Sequence, residues 1–166
     1  MSEFSHRRHK PPTPLARPRE LIVACAPVRS NVNLSRIVRT ASCCGVTRIV
    51  ACGRPRIDPE IARDGASLVT VEVHRSLAPV LKSLKQQGYT LVGLEQTEGS
   101  VNLHHFSFPR RTVLVLGNER QGIGADSLRL LDHAVEIPVY GLPYSFNVAT
   151  AAAMALYEYC RQFPRG

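Results

Sequence analysis

Apolar residues follow two rhythms along this chain. Continuous apolar runs occur at Leu21–Ala26, Thr47–Cys52, Tyr89–Glu95, Thr112–Leu116 and Ala134–Ile137, with a shorter one at Thr70–Val73. Runs of this length, bounded by polar turns, predict strands buried on both faces. Between them the spacing changes to that of helices. Leu34, Ile37, Val38 and Ala41 follow a helix start at Asn33, and Gly45 stops it. Asp58-Pro59-Glu60 predicts another helix start, with Pro at an early position and acids in the first turn. Ser76–Gln87 carries Leu77, Val80, Leu81 and Leu84 on one face before Gly88. Ser127–Asp132 is a short helix, and Gln96–Arg111 is a loop or contains a short turn.

The stretch Ile137–Tyr159 is the focus of the chain. A strand end closed by Pro138 leads into a Gly141-Leu142-Pro143 turn, and Ser145-Phe146-Asn147 opens an Ala-rich helix. Ser or Asn at a helix start satisfies backbone N–H groups. Alanine gives high helix propensity with little bulk, so another element can approach the helix backbone closely.

Alternating strands and helices predict an α/β fold with a mostly parallel sheet flanked by helices. Ligands then bind outside the carboxyl ends of the strands. Three polar or glycine-rich loops follow strands there: Arg29–Asn33, Gly117–Gly124 and Tyr140–Asn147. The 166 residues suit one domain, with no internal repeat.

Charge narrows the partner. The net charge of +8 and pI near 9.7 favour a polyanion, nucleic acid first. Trp is absent and aromatics make up only 6%, which argues against base stacking on an aromatic sheet. Residues 1–19 hold Arg7, Arg8, Lys10, Arg17 and Arg19 among four prolines, and read as a basic flexible arm ahead of one domain over 20–166. Five cysteines without a C-x-x-C pair, most of them in apolar runs, predict reduced, buried thiols in a cytoplasmic protein, and no metal site. No apolar run approaches membrane-spanning length, and no secretory signal is expected. Gly117–Gly124 lacks the P-loop Lys-Ser/Thr and does not match G-x-G-x-x-G, and hydrolase motifs are absent. The residues alone therefore predict a basic α/β domain that binds RNA and a nucleotide-like ligand.

Three segments together resemble the signature motifs of the SpoU (TrmH-like) family of SPOUT RNA ribose methyltransferases. The first is Asn33 through Arg39-Thr40-Ala41, followed by Gly45. The second is Leu114 through Gly117-Asn118-Glu119-Arg120-Gln121-Gly122-Ile123. The third is Ile137-Pro138-Val139, then Ser145-Phe146-Asn147-Val148. More narrowly, Gly88-Tyr89-Thr90 through Glu95-Gln96-Thr97, with Gly117–Arg120, is similar to eukaryotic-type tRNA methyltransferase catalytic domains that act on a D-loop guanosine ribose. Phe146 stands where Leu is usual, and Arg120 where many members have Gly.

The resemblance implies a SPOUT fold with a C-terminal trefoil knot, a homodimer, the cofactor S-adenosyl-L-methionine, and methyl transfer to a 2′-hydroxyl of RNA, with tRNA favoured. A wobble-position or rRNA ribose methyltransferase is the alternative within the class, and a non-catalytic RNA-binding module the alternative outside it. The resemblance also implies the catalytic set Arg39, Asn33, Glu119, Ser145 and Asn147, with Leu94, Gly117, Ile137, Ser145 and Phe146 around the cofactor. Arg39 is either a general base or a clamp on the adjacent phosphate, because a guanidinium with pKa above ~12 holds its proton.

Overall fold

The computed structural model describes residues 4–166; the first three residues of the expected arm lie outside it. The strands are β1 (Leu21–Cys25), β2 (Arg48–Cys52), β3 (Thr70–His74), β4 (Thr90–Leu94), β5 (Val101–Asn102), β6 (Thr112–Leu116) and β7 (His133–Glu136). All pair in parallel, in the order β3-β2-β1-β6-β4-β7-β5. The helices are α1 (Asn31–Cys43), α2 (Pro59–Ala62), α3 (Gly65–Leu68), α4 (Leu77–Gln86), α5 (Ala125–Leu128) and α6 (Val148–Gln162).

The central strands explain the continuous apolar runs. Successive side chains point to opposite faces of a strand. Leu21, Val23 and Cys25 pack with Leu34, Ile37 and Val38 of α1 and with Ala152 and Leu156 of α6. Ile22 and Ala24 pack on the other face with Leu77, Leu81 and Leu84 of α4. Both faces are covered, so β1 and β6 have no polar register to display.

Three local expectations need correction. Helix α1 begins at Asn31, capped by Ser30, whose Oγ accepts the Asn33 N–H at 3.2 Å. Asn33 thus sits inside the first turn, which frees its amide for other work. Helix α5 runs over Ala125–Leu128, earlier than the expected Ser127–Asp132, because Gly124 supplies the cap position. Asn147 alone caps α6, its Oδ1 accepting the N–H of Ala149 (2.9 Å) and Thr150 (3.3 Å), so Ser145 is left in the loop. The segment 96–111 contains a short turn, as one of the two expectations had it, a 3-10 turn at Leu103–His105, and also the short strand β5. Of the cysteines, all five are unpaired; Cys43 is exposed and Cys160 half-buried, while Cys25, Cys44 and Cys52 are buried as expected.

Two features bear on the site. β4 and β5 are successive strands, yet β7 lies between them. Residues 95–100 therefore bridge across the carboxyl end of β7, and Ser100 Oγ donates to Glu136 Oε2 there at 2.7 Å. The end of the basic arm is also docked. Ala16 N–H donates to Arg165 O at 2.9 Å, while Arg19 donates to Cys44 O (2.6 Å) and Phe163 O (2.7 Å).

Candidate active site

The loop after β6 is folded back on itself. Asn118 and Gly122 exchange two backbone hydrogen bonds of 2.9 Å. A Cβ at Gly117 would lie 2.5 Å from the Gly122 carbonyl carbon, so the closure needs glycine there. Asn118 Oδ1 accepts the N–H of Arg120 at 2.9 Å, and its Nδ2 donates to Pro27 O at 2.6 Å. From the neighbouring strand end, Glu95 Oε2 accepts the Ile123 N–H at 2.9 Å. The loop is held on two sides, with Glu119 at its tip.

Glu119 meets the start of α1. Its carboxylate accepts the N–H of Arg29 (2.9 Å) and Ser30 (3.1 Å) and the Asn33 Nδ2 amide (3.2 Å). Asn33 Oδ1 in turn accepts from Asn147 Nδ2 at 3.1 Å. Every amide orientation in this relay is fixed. Asn147 Oδ1 is used by the α6 cap, so its NH2 must point to Asn33, whose own NH2 must then point to Glu119. Partial burial pushes the Glu119 carboxyl up, but donation from the Arg29 N–H, its own N–H, the Asn33 amide and the Ser30 N–H outweighs this, and the carboxyl is held below its ordinary value. It stays ionised at neutral pH.

Beside the relay lies a cavity of about 510 Å³, within the range of small-molecule sites. Leu94, Gly117, Ile137, Ser145 and Phe146 all line it, as do Glu119 and Asn147. The apolar walls suit a flat heterocycle, and Glu95 and Glu136 in the lining suit hydroxyls or a cation. A second cavity of about 480 Å³ shares Gln96, Glu136 and Ile137 with the first. Gln96 Nε2 donates to Tyr144 O at 3.3 Å, tying the 95–100 bridge to the loop before α6.

Asn33, Glu119 and Asn147 are thus joined, with Ser145 on the same cavity. Arg39 is not brought to them. It is exposed on α1, lines neither cavity and hydrogen-bonds none of the four. Six residues of α-helix place it about 240° around the axis from Asn33. Glu95, Gln96, Asn118 and Glu136 had no role assigned from the sequence. Glu95 and Gln96 stood inside a quoted motif, but their action depends on β4 ending beside β6 and β7. Among the described residues, no group of three His, Cys, Asp or Glu is gathered as a metal site requires, and no helix is long and apolar enough to cross a membrane.

The profile of the SpoU rRNA Methylase family matches residues 20–157. The tRNA (guanosine(18)-2'-O)-methyltransferase of Mus musculus is 36% identical over 166 residues, which is 96% of this chain and 10% of that protein. The enzyme of the same name from Escherichia coli K12 is 32% identical over 146 residues, 86% of this chain and 64% of that protein. The chain therefore spans a tenth of the one and under two thirds of the other. The crystal structure of the Aquifex aeolicus TrmH/SpoU tRNA modifying enzyme superposes with a TM-score of 0.83 at 31% identity, covering 88% of this chain and 76% of that one. The SpoU methyltransferase AviRb of Streptomyces viridochromogenes, solved in complex with AdoMet, superposes with a TM-score of 0.75 at 26% identity, covering 92% and 64%. With its motifs, its parallel sheet and its cavity at the strand ends, the chain belongs to the SpoU methylase family.

Proposed function

We propose that the protein is an S-adenosyl-L-methionine-dependent RNA 2′-O-ribose methyltransferase acting on tRNA, with a D-loop guanosine as the favoured target. One observation carries this reading: the Glu119–Asn33–Asn147 relay borders the cavity lined by all five residues expected around the cofactor. The relatives named for guanosine(18) methylation support the choice of nucleotide.

The cofactor, when bound, supplies an electrophilic methyl group. Leu94, Ile137 and Phe146 would enclose its heterocycle, and Gly117 and Ser145 would line its ribose side. The chain's own task is alignment, which is worth several powers of ten in rate. Glu119, held by three donors, fixes the β1–α1 loop. Asn33 and Asn147 then offer a rigid polar edge to a ribose. Ser145, free of the helix cap, can hydrogen-bond the substrate. Arg39 clamps the phosphate beside the target hydroxyl and polarises it, with a phosphate oxygen taking the proton as the methyl is transferred; a guanidinium keeps its own proton at neutral pH and so has no free site to accept another.

The same reading includes a homodimer. Tyr140, Leu142, Tyr144 and Tyr157 are largely exposed on the loop before α6 and on α6 itself. A second copy over this apolar surface would also complete a site from which Arg39 of a single chain is turned away. A C-terminal trefoil knot belongs to it as well. The chain leaving β7 has to pass the 95–100 bridge that spans that strand's carboxyl end, which supports threading at this point. The unpaired thiols suit a reducing compartment such as the cytoplasm.

The test is transfer of labelled methyl from S-adenosylmethionine to unmodified total tRNA, mapped by nuclease digestion, with Arg39→Ala as control. Label on a D-loop ribose 2′-oxygen, lost in the variant while cofactor binding is kept, is the expected outcome. Label at the wobble position, or only on rRNA, would move the substrate within the class. Cofactor binding without transfer to any RNA would favour a binding module.

A further inference from the structure

The carboxyl edge of the sheet is divided by charge. The loops after β1, β2 and β3 carry Arg29, Arg54, Arg56 and Arg75, all exposed. The ends of β4 and β7 carry Glu95, Glu98 and Glu136. The strand order β3-β2-β1-β6-β4-β7-β5 sets these groups at opposite halves of one edge, with Glu119 after β6 at the boundary. The cavity lies toward the acidic half, lined by Glu95, Glu119 and Glu136 against one cation, Arg120. The basic half has been given no role.

The β2–α2 loop of that half is anchored at both ends. Gly53 N–H donates to His74 O at 2.9 Å, fixing the loop's start to β3. A Cβ on Gly53 would meet Pro27 at 3.3 Å, so this loop packs against the one that leads into α1. Its end is fixed by Asp58 N–H, which donates to Ser35 Oγ of α1 at 2.8 Å. Between these anchors the chain alternates. Pro55 and Ile57 turn inward and are half-buried, with Ile57 against the core. Arg54 and Arg56 therefore both face solvent. Neither forms an ion pair among the described residues. Asp58, the nearest acid in sequence, is occupied as the α2 cap, its Oδ1 accepting the Glu60 N–H at 2.9 Å. Two unpaired guanidinium groups two residues apart on a segment pinned at both ends suit successive phosphates of a polynucleotide backbone better than one compact anion.

We propose that Arg54 and Arg56 form a phosphate track for the RNA substrate, leading its backbone across the β1 and β2 loops to the relay at Glu119. This rests on the RNA methyltransferase reading above. The track selects no base. It holds the strand on the basic half of the edge, beside the relay that borders the cavity.

The test is RNA affinity as a function of salt, measured on unmodified tRNA for the full chain, R54A/R56A and K82A/R129A; the last removes two charges from the far side of the sheet. Each lost phosphate contact should reduce the slope of log affinity against log salt by about 0.7–0.9. We expect R54A/R56A to flatten the slope by about 1.5 and weaken binding at least tenfold at low salt, with binding of S-adenosylmethionine unchanged. R54K/R56K should recover most of the slope, because lysine keeps the charge. K82A/R129A should leave the slope near that of the unaltered chain. An unaltered slope in R54A/R56A, or equal losses in both double variants, overturns the track while leaving the methyltransferase reading intact. No RNA affinity in the unaltered chain would instead overturn that reading, and the track with it.

Discussion

Asn147 Nδ2 donates to Asn33 Oδ1 at 3.1 Å, joining the first turn of α1 to the cap of α6 across 114 positions of sequence. Asn147 thus does two jobs with two atoms. Its oxygen caps α6, and its nitrogen orients the amide that holds Glu119.

These jobs can be separated. Asn147→Asp keeps an oxygen for the cap but loses the donor and faces Asn33 Oδ1 with negative charge. We expect kcat to fall about 10–100-fold, roughly 1.4–2.7 kcal/mol of barrier, with little change in Tm. Asn147→Ala loses the cap too and should cost a further ~1 kcal/mol of stability. Steady-state kinetics and thermal melts on both variants check this. Equal Tm losses in the two would mean that the Asn33 contact is purely structural.

Glu119 gives a pH prediction. Burial raises its pKa, but its backbone and Asn33 donors outweigh that and hold the folded-state value below the ordinary one. Its stabilising share is therefore complete above the unfolded value of about 4.3 and is lost as pH falls through the lower folded value. Glu119→Gln should shrink the loss of stability between neutral pH and the acid range, and leave the part carried by Asp132 and Glu72, whose pKa values are also lowered. Denaturant midpoints taken between pH 7 and pH 3 would show it.

Gly117 cannot accept a side chain. An added Cβ would lie 2.5 Å from backbone of Gly122, and backbone cannot swing aside as a side chain can. Gly117→Ala should open the loop, displace Glu119, and lower cofactor affinity at least tenfold by calorimetry. Gly124→Ala is the control, since a Cβ there meets nothing within 4 Å.

The basic arm should divide in two on truncation. Among the described residues, deleting up to 14 removes only exposed segments outside helix and strand, and should leave Tm within about a degree. Deleting through 19 also removes the Arg19 bonds to Cys44 O and Phe163 O and the Ala16 bond to Arg165 O, and should lower Tm by several degrees. The difference between the two truncations in differential scanning calorimetry is the reading to take.

Local pattern determined the elements. Leu21–Cys25 and Thr112–Leu116 are buried at every position because both faces of a central parallel strand are covered, and apart from Thr112 that burial is written in consecutive apolar residues. The helix face of Leu77, Leu81 and Leu84 is equally local. The motif residues Asn33, Gly117, Glu119 and Asn147 could also be picked out in one dimension. Tertiary structure decided what they do. The bonds of Glu119 to the α1 loop, and of Asn33 to Asn147, span gaps of 86 to 114 residues, and no periodicity encodes a partner so distant. The order of strands is of the same kind. Placing β7 between β4 and β5 brings Glu95, Gln96 and Glu136 to one cavity, and it follows from how covered faces pack together rather than from any single stretch of chain.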